Sequence, residues 1–262
     1  MRYYVVSDTH GYYDYLIKSL EEAGFFEDTE PHKLVLCGDL LDRGGQAREL
    51  IDFMMQLIKQ DKLIYILGNH EELLVQCLQQ ISRGEVYGIA KGMSHHYTNG
   101  TWDTLLQIAQ MHPADACAAP DDLLKRVIRS EFYRILLPAA VDYYETDNYV
   151  FVHGWIPCYT GFGRDGMTYE YDPDWRNAYI DEWKQARWLN GMELACRHSV
   201  IEPAKTVICG HYHASYGHSV INDSCSEYGA DADFSPFYAD GIIAIDACAA
   251  ASGKINCVVV ED

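Results

Sequence analysis

Residues 34–44 read LVLCGDLLDRG. A short apolar run over 34–37 ends at once in a glycine and an aspartate. A stripe of Ala47, Leu50, Ile51, Met54, Leu57 and Ile58 follows at helical period. A strand that passes through a turn into a helix is the repeating unit of an α/β sheet. The same succession lies on both sides. Residues 3–7 are an aromatic and β-branched run followed by Asp8 and His10, then Leu16, Leu20 and Ala23 recur at helical spacing until Gly24. Residues 63–67 end in Gly68, Asn69 and His70, and residues 71–81 have a helical pattern. These first eighty residues predict βαβ units and a sheet covered on both faces.

The rhythm changes over residues 83–140. Helical patterns there cover 101–111 and 121–136, the second with Leu123, Leu124, Val127, Ile128 and Ile135 as its apolar face. Strand patterns resume at 141–145, 149–152, 206–209, 241–245 and 255–260. Residues 83–140 are therefore expected to be a helical insertion or cap within one domain spanning 1–262. Residues 155–188 carry Trp155, Tyr159, Phe162, Tyr169, Tyr171, Trp175, Tyr179, Trp183 and Trp188 without a clean period. Two readings stand for them: a long loop packed on its own aromatics, or a lip over the site that contacts the leaving group.

Net charge is −19 over 262 residues. So acidic a surface repels polyphosphate backbones, which disfavours a nucleic-acid partner and leaves a small or protein-borne phosphate as the easier ligand. Apolar runs fall far short of the ~20 residues of a membrane span, so no membrane is expected. Nine scattered cysteines, with no C-x-x-C pair and no secretory pattern ahead of MRYYVVSDTH, predict reduced thiols in a cytoplasmic protein. Cys37, Cys209 and Cys248 lie beside apolar runs and read as small core residues.

Each strand of the α/β pattern ends in a metal-binding residue type. Asp8 and His10 follow the first, Asp39 the second, Asn69 and His70 the third, His153 the strand at 149–152, and His211 and His213 the strand at 206–209. Taken singly, an Asp there caps a helix or begins a turn, and a His is a hydrogen-bonded structural residue. Five strand ends in order outweigh that reading, because ligands in open α/β sheets collect at the carboxyl ends of strands. A mixed His, Asp and Asn donor set suits Mn²⁺, Fe²⁺ or Zn²⁺. His95 and His96, adjacent in the insertion, read as exposed polar residues outside the site.

The blocks Asp8-Thr9-His10, Gly38-Asp39-Leu40-Leu41-Asp42-Arg43-Gly44, Gly68-Asn69-His70-Glu71, His153-Gly154 and Gly210-His211-Tyr212-His213 resemble the calcineurin-like metallophosphoesterases. The D-R-G ending and the Glu after Asn-His are similar to the phosphoprotein phosphatase branch, which includes bacterial serine/threonine phosphatases and symmetrical diadenosine tetraphosphatases. The resemblance implies a β-sandwich of mixed sheets flanked by helices, and two divalent metal ions, with Mn²⁺ favoured and Fe or Zn as alternatives. Asp8, His10 and His213 would hold one ion, Asn69, His153 and His211 the other, and Asp39 would bridge them. It further implies that His70 protonates the leaving oxygen, that Asp42 orients His70, and that Arg43 clamps the phosphate with its planar fork. Asn69, Asn99 and Arg187 are the remaining candidates for substrate contact, with Arg164 an alternative to Arg187.

The expected activity is hydrolysis of phosphomonoesters by a metal-bridging hydroxide, with phosphoserine or phosphothreonine on proteins as one substrate. The alternative is hydrolysis of a dinucleoside polyphosphate or another small phosphodiester. A catalytically silent scaffold is the least favoured reading, since such a protein should have eroded ligands and here every position is filled. The oligomeric state is not written in the sequence.

Overall fold

The computed structural model describes residues 1–85, 93–163 and 166–262. Its strands, in chain order, are β1 (Arg2–Val6), β2 (His32–Cys37), β3 (Leu63–Ile66), β4 (Tyr144–Glu145), β5 (Tyr149–Phe151) and β6 (Cys158–Gly163). They continue with β7 (Gly166–Tyr171), β8 (Thr206–His213), β9 (Phe237–Ala239), β10 (Ile242–Asp246) and β11 (Val258–Glu261). One sheet has the order β11-β1-β2-β3, with β1, β2 and β3 parallel and β11 antiparallel. A second has the order β4-β5-β8-β10-β9, parallel through its centre and antiparallel at its edges.

Strand periodicity decides how the layers stack. Tyr4, Val6, Leu34 and Leu36 point to one face of the first sheet and join a core with helices α1 (Tyr13–Ala23), α2 (Ala47–Lys59) and α3 (Asn69–Ser82). The alternate residues Tyr3, Val5, Val35 and Cys37 point the other way and meet Phe151, Ile208 and Ile245 of the second sheet. The far face of the second sheet, through Val150, Val207 and Ile242, packs on Trp155, Trp175 and Trp183. The layers therefore run helix, sheet, sheet, helix. The expectation of a covered sheet holds, but its second cover is another sheet, because a strand's alternation shows that both faces are apolar and not what meets them.

The insertion contains α4 (Met93–Thr98), α5 (Thr101–Ala109), α6 (Pro113–Ala118) and α7 (Pro120–Arg129), then a π-helical turn at Phe132–Leu136 and α8 (Leu137–Ala139). Trp102, Leu105, Leu123, Val127 and Phe132 share one core with Leu50 and Leu74 of α2 and α3. A fully buried side chain of this size contributes about 1.5–3 kcal/mol. The single helix expected over 121–136 is interrupted at Ser130, whose backbone is extended and whose hydroxyl donates to Val127 O at 2.6 Å. Ile128, still within α7, and Ile135, beyond the break, are both exposed and do not belong to the apolar face.

Within 155–188 some aromatics pack inward and others stay on the surface. Trp155, Trp175 and Trp183 are buried in the core under the second sheet, beside α9 (Ile180–Ala186) and α10 (Gly191–His198). Residues of β6 and β7 pair as a hairpin with Phe162 exposed, and Trp188 lies open beside His211. No described helix is long and apolar enough to cross a membrane.

Candidate metal centre

The loops after the strands converge on one point, and their backbone is unusual there. Asp8, His10, Asp39, Asp42, Arg43 and His211 all have positive φ, between 45° and 76°. Left-handed backbone is unfavourable for a residue with a Cβ and persists only where surroundings impose it. Here the loops after β1 and β2 hold each other: Asp8 N donates to Gly38 O at 3.1 Å, His10 N to Asp39 O at 3.0 Å, and Gly44 N to His10 O at 2.8 Å. Glu71, buried at the start of α3, accepts from the backbone N–H of Asp39, Leu40 and Gly68 at 3.0, 3.0 and 2.7 Å. Two glycines make room. A Cβ at Gly68 would run into Asp39 Oδ1, and one at Gly210 into Asp8 Oδ2.

Asp39 stands at the centre. Its Oδ2 lies 3.6 Å from His10 Nε2 and 3.8 Å from His70 Nε2, while its Oδ1 lies 3.4 Å from His153 Nε2. Two overlapping groups result, His10–Asp39–His70 and Asp39–His153–His211, each offering donor atoms within 4.8 Å of one another. Asp8 Oδ1 is 3.8 Å from His10 Nε2, and Asp8 Oδ2 accepts from His211 N at 2.9 Å.

The donor chemistry fits cations. His10 donates from Nδ1 to Leu41 O at 3.1 Å, which leaves its buried Nε2 without a partner. His153 likewise donates from Nδ1 to Cys37 O at 2.8 Å, so its Nε2 lone pair faces Asn69 Oδ1, another acceptor, at 2.8 Å. Two acceptors aimed at each other are what a metal ion between them relieves, and a carbonyl on the far ring nitrogen is the usual orienting partner of a ligating histidine. Burial holds the His10 ring well below its ordinary pKa and pushes His211 down to about 3, so both imidazoles are neutral, the ligating form. Burial, with Asp246 and Asp39 nearby, drives the Asp8 carboxyl up. Burial acts the same way on Asp39, but the neighbouring His153 and His70, the latter also donating its backbone N–H to Oδ1 at 2.9 Å, outweigh it and hold that carboxyl low.

Beside this centre, His70 Nδ1 is 2.8 Å from Asp42 Oδ2, and the Thr101 hydroxyl donates to the same oxygen at 2.7 Å. Asp42 N is in turn bonded to Thr104 Oγ1 at 3.0 Å. Burial favours a neutral His70, yet Asp39 and Asp42 together raise its pKa. The Arg43 side chain reaches to 3.4 Å from His70 Nε2.

Other sequence candidates lie elsewhere. His213 is absent from both donor groups; its Nε2 is 2.6 Å from Tyr228 Oη and 3.3 Å from Glu227 Oε1. Arg187 is buried with both terminal nitrogens on carboxylates, one on Glu72 and one on Asp142, so its fork is not free for a phosphate. Asn99 donates to His95 O at 2.9 Å within α4 and its following turn. Arg164 lies outside the described residues. His96 is buried, contrary to the exposed position expected for it, while His95 is exposed. Cys37 and Cys209 are buried as expected, but Cys248 is only partly so.

Two groups escaped the sequence reading. Asp246 is buried at the end of β10, its Oδ1 accepting from Cys248 N at 2.7 Å, close enough to raise the Asp8 pKa. The rule that selected Asp39, a carboxylate directly after a strand, would have found it. Glu71 looked like a motif residue, but its three backbone bonds are visible only in three dimensions.

A family model described as calcineurin-like phosphoesterase matches residues 1–215. Among curated relatives, the asymmetrical bis(5'-nucleosyl)-tetraphosphatase PrpE of Bacillus velezensis is 27% identical over 142 residues, 52% of each chain. The symmetrical bis(5'-nucleosyl)-tetraphosphatase of Salmonella paratyphi A is 35% identical over 85 residues, 32% of this chain and 29% of that one. The chain thus spans about half the length, or less, of these relatives. Among solved structures, a point mutant of a cold-active protein tyrosine phosphatase aligns with TM-score 0.50 at 15% identity, covering 100% of this chain and 75% of that one. That likeness concerns the fold alone.

Proposed function

The chain belongs to the calcineurin-like phosphoesterase family, and on that premise we propose that it hydrolyses phosphate esters at the centre built around Asp39. Asp8 and His10 would hold one divalent cation, Asn69, His153 and His211 a second, with Asp39 between them. His213, whose Nε2 is held by Tyr228 and whose buried Nδ1 has no partner, would be a further ligand of the first. Two such ions supply Lewis acidity toward the phosphoryl oxygens and a water acidic enough to serve as nucleophile near neutral pH. Mixed nitrogen and oxygen donors support Mn²⁺, Fe²⁺ or Zn²⁺ over Mg²⁺.

The observation that carries the reading is the division of labour within His70. Its Nδ1 is anchored on Asp42, itself fixed by Thr101, while its Nε2 faces the space beside Asp39. An imidazole so oriented can hold a proton for the departing oxygen, and Arg43 beside it offers two parallel N–H groups to phosphate oxygens. Substrate access is supported by the exposed position of Arg43. The shared core of the insertion with α2 and α3 supports one domain over residues 1–262, with 83–140 as its cap. Nine scattered cysteines without a C-x-x-C pair support a reducing compartment such as the cytoplasm.

Two substrate classes fit. A phosphomonoester, on a small molecule or on a protein Ser or Thr, needs only Arg43 and His70. A dinucleoside polyphosphate is favoured by the names of the relatives. Phosphate release from glycerol 2-phosphate and a phosphoserine peptide, beside chromatography of diadenosine tetraphosphate with Mn²⁺ present, separates them. Absence of turnover on all three under every divalent cation tried would sink the phosphoesterase reading.

A further inference from the structure

Asp39 divides the centre into two ends. Its Oδ2 faces His10 and His70, and its Oδ1 faces His153, whose ring is 5.1 Å from that of His211. The leaving group belongs at the His70 end, on the reading given above. What surrounds the opposite end is aromatic. The Trp188 ring lies 5.8 Å from His211 at 83°, and the Tyr212 ring lies 5.9 Å from it at 68°. Both meet His211 nearly edge to face, and both are open to solvent, Trp188 at 47% and Tyr212 at 37%.

Exposure of Trp188 sets it apart. The other four tryptophans, Trp102, Trp155, Trp175 and Trp183, are no more than 4% exposed. Leaving the largest apolar side chain in water forfeits the burial that the others gain, and with Tyr212 on the same histidine it makes an exposed aromatic patch beside the metal centre. The position is also fixed. Trp188 N donates to Gln185 O at 3.0 Å, its ring packs on that of His211, and the neighbouring Arg187 is clamped by Glu72 of α3 and by Asp142. A shelf held from both sides loses little freedom when a ring settles on it.

We propose that Trp188 and Tyr212 form a stacking shelf for a flat aromatic group, a nucleobase or its equivalent, carried on the part of the substrate that does not leave. The inference rests on the phosphoesterase reading and on His70 marking the leaving-group end. It selects between the two substrate classes. A monoester presents only bare oxygens away from its leaving group, so the shelf would touch nothing. A nucleoside phosphodiester or phosphoanhydride has a second organic substituent to place there.

The test compares kcat/KM for diadenosine tetraphosphate and for glycerol 2-phosphate, with Mn²⁺, in the wild type, Trp188→Ala and Trp188→Phe. Base–aromatic stacking of the usual strength corresponds to roughly a tenfold effect or more. Trp188→Ala is therefore expected to lower the nucleotide-to-glycerol-phosphate ratio by about tenfold, chiefly through KM, and Trp188→Phe to restore most of it. Equal losses on both substrates would mean that Trp188 only supports the fold, and overturn the shelf. Wild-type turnover of glycerol 2-phosphate without turnover of the nucleotide would overturn the shelf and leave the phosphoesterase reading intact. No turnover of either would remove both.

Discussion

Replacing Glu71 with alanine should destabilise the protein far more than its motif position implies. The carboxylate is 2% exposed and receives the backbone N–H groups of Asp39, Leu40 and Gly68 at 3.0, 3.0 and 2.7 Å. Glu71→Ala leaves all three donors buried without an acceptor. Each such orphan costs about 1–3 kcal/mol. The three act as a unit, and the wild type already bears the desolvation of a buried carboxylate, so their costs do not simply add. An expected loss of about 3–5 kcal/mol follows, a large part of the ~5–15 kcal/mol that holds a typical domain together. For a chain of this size that is a fall in Tm of about 10–15 °C. Glu71→Gln keeps the shape and one acceptor oxygen but turns an amide N–H₂ toward backbone donors, so it should fall between the two. Urea unfolding followed by circular dichroism measures both, with the m-value reporting whether the unfolded state has also changed. Metal content measured alongside should drop, because the same three bonds hold Asp39 in its left-handed conformation. A Glu71→Ala protein within 1 kcal/mol of wild type, as an order-of-magnitude threshold for one lost bond, would refute the claim that Glu71 holds these loops together.

His70→Asn should lower kcat by roughly 10²–10⁴-fold while bound metal stays, the span expected for loss of a general acid; loss of metal in that variant would instead make His70 a ligand of the His10–Asp39 group. Arg187→Ala should reduce stability by about 2–3 kcal/mol, less than a fully buried pair because Asp142 is partly exposed, and a rise in KM without a stability change would restore it as a phosphate ligand. The Tyr4 hydroxyl at 2.8 Å and the Arg2 guanidinium at 2.7 Å outweigh partial burial and hold the Asp28 carboxyl down to about 2, against an ordinary 3.8. A depressed folded pKa contributes stability that is full above pH ~4 and is lost as pH falls toward ~2. Asp28→Asn should therefore flatten the decline of Tm over that window, and an unchanged slope would contradict the assignment.

Much of the fold was legible because it is local. Residues 3–7, 34–37 and 63–67 alternate or run apolar over the lengths that strands take, and the stripe from Ala47 to Ile58 keeps helical period, so β1 to β3 and α2 fall within a residue or two of expectation. Residues 141–145 show where locality ends. Only Tyr144–Glu145 pair as a strand, while Val141 bridges Ile66 of the other sheet, with Val141 N donating to Tyr65 O at 2.9 Å. A β-branched residue between two sheets carries no mark of which one it will join.

The metal centre divides in the same way. Sequence alone determined the residue types and their order: Asp8, His10, Asp39, Asn69 and His153 follow strands, whose carboxyl ends parallel pairing delivers to one edge, while His211, expected after a strand ending at 209, stands as a left-handed residue inside β8. It did so without knowing any distance. Tertiary structure decided what each side chain is free to do, because that depends on which of its atoms are already bonded. Leu41 O and Cys37 O take one nitrogen of His10 and His153 and leave the other for a cation. Tyr228 and Glu227 take Nε2 of His213 and leave its Nδ1 without a partner, whereas Glu72 and Asp142 take the whole fork of Arg187. The three backbone bonds of Glu71 were visible only once the chain had closed. A residue's identity is written in one dimension, and its availability is set by partners far along the chain, 203 positions away in the case of His211 N and Asp8.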